Sequence, residues 1–236
     1  MGQFIVDPEF WEVFPQAQIN ILVVRNIDNQ YPDGNSEYFS ELLNSAAREA
    51  AKFLIEDTFS QNQVVDEWRK AFSQFKTKKG TRSSIEALLK RVNQGREFSP
   101  INPLVDLYNS VSLKYAVPCG GEDIDCLKGD LHLGKANGGE QFLPLGADYD
   151  SPALPEEIIY YDQEGAICRC LNWREAQRTM LTADTTDAIL FIESVNHDQA
   201  ERANQAMNEL MQMIDSVFHT ESISRILTVK DSSFDF

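Results

Sequence analysis

Hydrophobic positions follow two rhythms along this chain. Between residues 36 and 56, Phe39, Leu42, Leu43, Ala46, Ala50, Phe53 and Leu54 recur every three or four positions, the spacing of one helix face. Val64, Val65, Trp68 and Phe72 repeat it over 61–75. Ile85, Leu88, Leu89 and Val92 do so after Ser83, and Leu104, Leu107, Val111 and Tyr115 after Asn102. A last amphipathic helix is predicted over 198–218, through Ala203, Met207, Leu210, Ile214 and Val217. The other rhythm is short and β-branched. Residues 19–24 and 188–192 read as buried strands, and 131–133, 140–144, 157–161 and 166–171 as further strands. Residues 31–35, 118–123 and 163–165 read as turns, the second because of its paired glycines. Helices first, strands in the middle and a closing helix predict an α+β fold, mixed strands packed against helices rather than a wound parallel sheet.

Two helix starts carry clear signals. Ser83 stands three residues before Glu86, the spacing of a capping box, and Gly95 is a natural stop. Asn102 precedes Pro103, an N-cap followed by proline at the first helical position. The side of this second helix away from its apolar stripe carries Asp106, Asn109 and Ser110.

The chain has 236 residues and 42% hydrophobic content, enough for a sizeable core and in keeping with a single domain over 1–236. Residues 1–10 lack a basic start and an apolar run, so no signal peptide is expected. No stretch is long and apolar enough to span a membrane, so no membrane partner is expected. Cys119, Cys126, Cys168 and Cys170 are then expected to be reduced thiols of a cytoplasmic protein.

Charge changes the picture. A formal net charge of −16 repels phosphate in general and argues against DNA as a partner. Yet Arg69, Lys70, Lys76, Lys78, Lys79, Arg82, Lys90, Arg91 and Arg96 cluster within 66–96, opposed only by Asp66, Glu67 and Glu86. That segment is either a solvated helix face or a place for a polyanion.

Most common sites are missing. There is no phosphate-cradling glycine loop and no dinucleotide fingerprint, so no cofactor is expected. His132, His197 and His219 are scattered. Cys168-Arg-Cys170 would put two thiols on one side of a strand, but Cys119 and Cys126 do not complete a ligand set, so no metal is expected. Cys119 has no neighbouring histidine to activate it as a nucleophile. Gly120 and Gly121 offer backbone N–H groups suited either to an oxyanion site or to a tight turn. Glu193 ends an apolar strand, where a carboxylate either caps a turn or faces a pocket. Asn172-Trp-Arg174 either hydrogen-bonds a ligand or closes a strand around a packed Trp173.

Several stretches together resemble the B3/B4 domain of the phenylalanyl-tRNA synthetase beta subunit, in its free-standing form. They are Arg82-Ser-Ser-Ile-Glu-Ala-Leu-Leu89, Asn102-Pro-Leu-Val-Asp-Leu-Tyr-Asn109, Pro118-Cys-Gly-Gly-Glu-Asp123, Gly139-Glu-Gln-Phe-Leu-Pro-Leu-Gly146, Cys170-Leu-Asn-Trp-Arg174 and Thr182-Ala-Asp-Thr-Thr-Asp187, up to Glu193. The resemblance covers about residues 81–213. In the synthetase this domain removes tyrosine wrongly attached to the phenylalanine tRNA.

The resemblance implies an α+β editing fold and hydrolysis of a mischarged aminoacyl-tRNA in trans. The alternatives are a non-catalytic tRNA-binding module and a module that binds a free amino acid. It implies that the helix through Asn109 lines the pocket, that 118–123 form the pocket loop and that Glu193 recognises the misattached side chain. Arg82, Asn102, Asp106, Asn172 and Glu193 are then the expected substrate-binding residues. Gly120 and Gly121 are expected to stabilise the oxyanion, with water held by Asn109 or Thr185. Lys76, Lys78, Lys79 and Arg82 are expected to contact tRNA near its 3′ end. One position departs from the pattern: the synthetase loop has a histidine where this chain has Gly120. An aminoacyl ester is already activated, so placing water and stabilising the oxyanion could do much of the work.

Overall fold

Ile19, Ile21 and Val23 alternate with Leu22 and Val24, and both sets are buried. A strand apolar on both faces has to lie in a sheet covered on both sides. The computed structural model describes residues 2–236. In chain order its main elements are β1 (Gln3–Val6), α1 (Pro8–Val13), β2 (Gln18–Val24), α2 (Glu37–Ala50), α3 (Gln63–Phe72), α4 (Ser84–Asn93), α5 (Pro103–Tyr115), β3 (Cys119–Asp123), β4 (Leu131–Lys135), β5 (Ile158–Asp162), β6 (Gly165–Arg169), β7 (Arg174–Glu175), β8 (Ala188–Ser194), α6 (His197–Phe218), β9 (Ile223–Leu227) and β10 (Ser233–Asp235). The fold is α+β.

Two sheets carry the strands. One has the order β3-β8-β2-β9, all antiparallel, with Phe191 of β8 opposite Gly120 on one side and Ile21 on the other. The other has the order β10-β1-β4-β5-β6-β7, in which only β1 and β4 run parallel. Alternation along β8 divides the core. Leu190 and Ile192 pack with Leu104, Leu107 and Val111 of α5 and Leu210 and Ile214 of α6. Ile189 and Phe191 face the opposite way, among Phe4, Tyr160, Ile167 and the α3 and α4 residues Trp68, Ile85 and Leu89. The four-stranded sheet therefore has α5 and α6 on one face and the six-stranded sheet on the other.

One cap signal is realised in full and the other in part. Asn102 Oδ1 accepts from the Val105 N–H at 3.0 Å. Ser83 Oγ accepts from the Glu86 N–H at 3.2 Å, but the Glu86 carboxylate does not return to complete a box. It is drawn instead to Arg69 Nη2, 2.7 Å away on α3.

Four expectations are corrected. Residues 118–123 are not a turn: Cys119–Asp123 form β3, held by the antiparallel ladder to β8. Residues 140–144 form no strand. The Phe142 N–H goes to Asp150 Oδ1, Pro144 has no N–H, and a single bridge from Pro144 to Ala176 remains. The helix begun at 37 ends at Ala50 and continues only as a 3₁₀ turn over Ala51–Phe53. Cys170 lies beyond the end of β6 with φ 49°, so it does not share a strand face with Cys168.

Candidate functional site

A cavity of about 580 Å³ opens where the two sheets approach each other under the first turns of α4. Its walls come from β3 (Cys119, Gly120, Gly121, Glu122), β8 (Phe191, Glu193), β5 (Tyr160), β6 (Cys168) and β7 (Arg174, Glu175). Ser84, Ala87 and Arg91 of α4, with Asn172, Trp173 and Leu145, complete it. Strand alternation explains much of this wall. Gly120 and Glu122 share a face of β3, as Phe191 and Glu193 share a face of β8.

Asn172 reaches the wall through an unusual bend. Cys170 and Leu171 both adopt left-handed backbone, φ 49° and 63°, a conformation that non-glycine residues seldom hold in succession. The Leu171 N–H donates to the Ile158 carbonyl at 2.6 Å, and the Ser84 N–H donates to the Asn172 carbonyl at 3.0 Å. The bend is thus tied to β5 on one side and to the start of α4 on the other.

Glu193 lies at the bottom, 3% exposed. Tyr160 Oη donates to its Oε1 at 2.8 Å, and Asn172 Nδ2 donates to its Oε2 at 3.3 Å. Burial pushes its carboxyl up to about 7, and the two hydrogen bonds pull in the opposite direction. Burial also pushes Glu175 up to about 7, reinforced by the charge of Glu193. Glu122 is raised well above the usual carboxylate range, first by burial and then by Glu175. Burial likewise raises the Cys119 and Cys168 thiols, which makes them poor nucleophiles at neutral pH.

Three lining side chains hold a buried polar atom without a partner: Ser84 Oγ, Glu122 Oε2 and Asn172 Oδ1. Buried polar atoms are nearly always paired, by protein or by water, so these three atoms are open to a polar ligand or to water held in the cavity. A second hollow, about 640 Å³, lies beside Gln141, Asp150 and Arg178, and none of its lining side chains carries such an atom. The rim of the first cavity is basic. Arg174 lies over Trp173, its guanidinium carbon 5.4 Å from the ring, and Arg91 lies over Phe98 at 4.7 Å.

Gly120, Gly121, Asn172 and Glu193 come together here as expected from the sequence. The glycines do so as strand residues, and successive N–H groups of a strand point to opposite sides. They cannot both aim at one oxyanion. Asn109 is half-buried outside the lining, because the apolar side of its helix packs on the far face of the four-stranded sheet. Asn102, Asp106 and Thr185 are also outside it, and each is occupied in holding chain segments together. Asn102 accepts from Asn29 Nδ2 as well as capping α5. Asp106 accepts from Tyr31 Oη at 2.6 Å and the Ile101 N–H at 2.9 Å. Thr185 Oγ1 donates to Asp123 Oδ2 at 2.7 Å. Asp106 and Ser110 are buried, so the polar side of α5 is not a solvent face.

Lys76, Lys78 and Lys79 are exposed and Arg82 is half-buried on the segment that leads along the chain into α4; none of the four lines the cavity, and Lys76 borders a separate hollow with Phe75, Lys135 and Glu156. Lys78 Nζ donates to Ser151 Oγ at 2.9 Å, and among the described residues none of the four forms an ion pair. Sequence reasoning placed Glu122 inside the expected pocket loop without giving it a role, and missed Ser84, Tyr160 and Glu175.

No helix among the described residues is long and apolar enough to cross a membrane, and no group of three His, Cys, Asp or Glu residues could hold a metal ion. The phenylalanine–tRNA ligase beta subunit of Cutibacterium acnes is 35% identical over 91 residues, 39% of this chain but 11% of that subunit. The structure is similar to an N-terminal fragment of the phenylalanyl-tRNA synthetase beta subunit from Pyrococcus horikoshii, at a TM-score of 0.49 and 12% identity, over 93% of this chain and 49% of the other. The model of the B3/4 domain matches residues 67–219, which include every wall of the cavity, and the chain accordingly belongs to the B3/4 domain family.

Proposed function

We propose that this cavity receives the 3′ end of an aminoacyl-tRNA and hydrolyses the ester of a mischarged amino acid in trans. The supporting observation is the carboxyl-lined cavity with three unpartnered buried polar atoms, beside the basic stretch of the chain. Glu193, held by Tyr160 and Asn172, suits a hydrogen-bond donor on the amino acid, either its side chain or its α-ammonium group. Arg91 and Arg174 at the rim suit the terminal phosphates, and Lys76, Lys78, Lys79 and Arg82 suit the phosphates further along. Among the described residues no histidine lines the cavity, an observation that favours a second reading, binding of a charged tRNA without cleavage.

A deacylation assay over a panel of charged tRNAs, including the phenylalanine tRNA charged with tyrosine, separates the two. Hydrolysis of at least one ester is expected, and Glu193→Ala should lower it at least tenfold. Tight binding across the panel with no release of amino acid supports the second reading instead.

A further inference from the structure

Glu175 is set differently from the other two carboxylates of the cavity. Its backbone is fixed: it pairs with Cys168 across β6 and β7, and its carbonyl accepts from the Leu145 N–H at 3.0 Å. Its side chain is half-buried and makes no hydrogen bond among the described residues. Glu193, by contrast, has both oxygens engaged, and Glu122 is buried with one oxygen unpartnered. Glu175 also fills a space that the sequence leaves open. A Cβ built on Gly120 would stand 3.6 Å from Glu175 Oε1, the closest atom to it, so the carboxylate lies where a side chain at position 120 would project.

We propose that Glu175 is the acid–base residue of this cavity, its carboxylate set against Gly120 and taking the proton of the water that attacks the ester. The assignment rests on the hydrolytic reading above and names the group that carries it. Water oxygen bonds to the ester carbonyl carbon while one of its protons passes to Glu175. The tetrahedral intermediate then breaks the bond to the ribose oxygen, which takes that proton back from Glu175. A free amino acid and a ribose hydroxyl result, one water is consumed, and the carboxylate is restored. No other reactant is needed.

A base of this kind works best when its proton affinity matches the working pH. The charged and titratable groups near Glu175 are Glu122 on β3, Glu193 on β8, Cys168 on β6 and Tyr108 on α5, with Arg91 and Arg174 at the mouth. Burial, with the charge of Glu193 after it, holds its carboxyl up to about 7. The ionised form is the active one, so the rate should climb with pH through that value and level off above it.

The test is single-turnover deacylation from pH 5.5 to 8.5, on whichever ester of the panel the wild-type protein cleaves. Glu175→Gln should lower the single-turnover rate constant by roughly 100- to 10,000-fold with half-saturation little changed, and should flatten the climb near pH 7 to the part that Glu193 contributes. Glu175→Asp shortens the reach by one methylene and should lower the rate constant less while keeping a climb at a shifted midpoint. Should Glu175→Gln retain the wild-type rate and profile, or Glu175→Asp the wild-type rate constant and midpoint, the assignment is overturned and hydrolysis stands. Should the wild-type protein cleave nothing in the panel, both fall together. Thermal unfolding of each variant separates lost chemistry from lost fold, and the Asp variant decides alone if the Gln variant does not fold.

Discussion

Glu193 takes up protons on folding. Its ordinary value of 4.5 rises to about 7 in the folded chain, so the folded state binds the proton more tightly than the unfolded one. The stabilisation from the protonated form is complete below about pH 4.5 and is lost as pH rises towards 7, at a cost of about 3 kcal/mol. Glu193→Gln replaces the carboxyl with a neutral group of the same shape. It can still accept from Tyr160 Oη, and the unpartnered Asn172 Oδ1 can turn to meet its amide. Urea denaturation should therefore show the variant more stable than wild type by about 3 kcal/mol at pH 8 and equal to it near pH 4. A gain of the same size at both values would mean that packing, not ionisation, is responsible. Glu193 was readable in the sequence because a carboxylate at the end of the run Ala188–Ile192 breaks the apolar pattern. Glu175 was not, since it follows an irregular bend and belongs to a strand of two residues. Asn109 and Thr185 were read as site residues from their place in motifs, but motif order does not reveal which face of a sheet a residue meets.

The elements with a helical repeat were legible because three or four turns of apolar spacing admit few alternatives. β3 was not. Two adjacent glycines signal a turn locally, and only the ladder to β8 makes them a strand. Their reasons for being glycine differ, and this can be measured. A Cβ on Gly121 would fall 2.2 Å from Leu190 Cδ2 and 3.3 Å from the Ile189 carbonyl oxygen, in a fully buried part of the core. Gly121→Ala should cost about 1 to 3 kcal/mol by chemical denaturation, the usual penalty of overpacking. Gly120→Ala meets only Glu175 at ordinary contact distance and should cost under about 1 kcal/mol. Equal costs would show that the two positions are not divided between core and cavity as described.

Charge is segregated over the molecule as a whole. The chain carries −16, yet its exposed lysines at 76, 78 and 79 stand on the stretch leading to the cavity. The sequence made this segment visible, but not that Arg69, Lys70 and Arg202 are engaged with Glu86, Asp66 and Glu67. What is left for a polyanion is the loop before α4, with Lys90, Arg91 and Arg96 at and beyond the end of that helix. Replacing Lys76, Lys78, Lys79 and Arg82 with glutamine should weaken tRNA binding and flatten its dependence on log salt concentration by about three. Fluorescence anisotropy of labelled tRNA across a potassium chloride series would measure both, and an unchanged slope would remove this loop from the interface. Under the proposed hydrolysis, the carboxylates of the cavity also bear on product release. An ester carries no charge at its carbonyl, but a liberated amino acid brings a carboxylate into a confined space already shared by Glu175 and Glu193. Like charges in a poorly screened interior repel strongly. Departure of the cut amino acid would then be downhill, and the same repulsion would keep the ambient pool of free amino acids from lodging there.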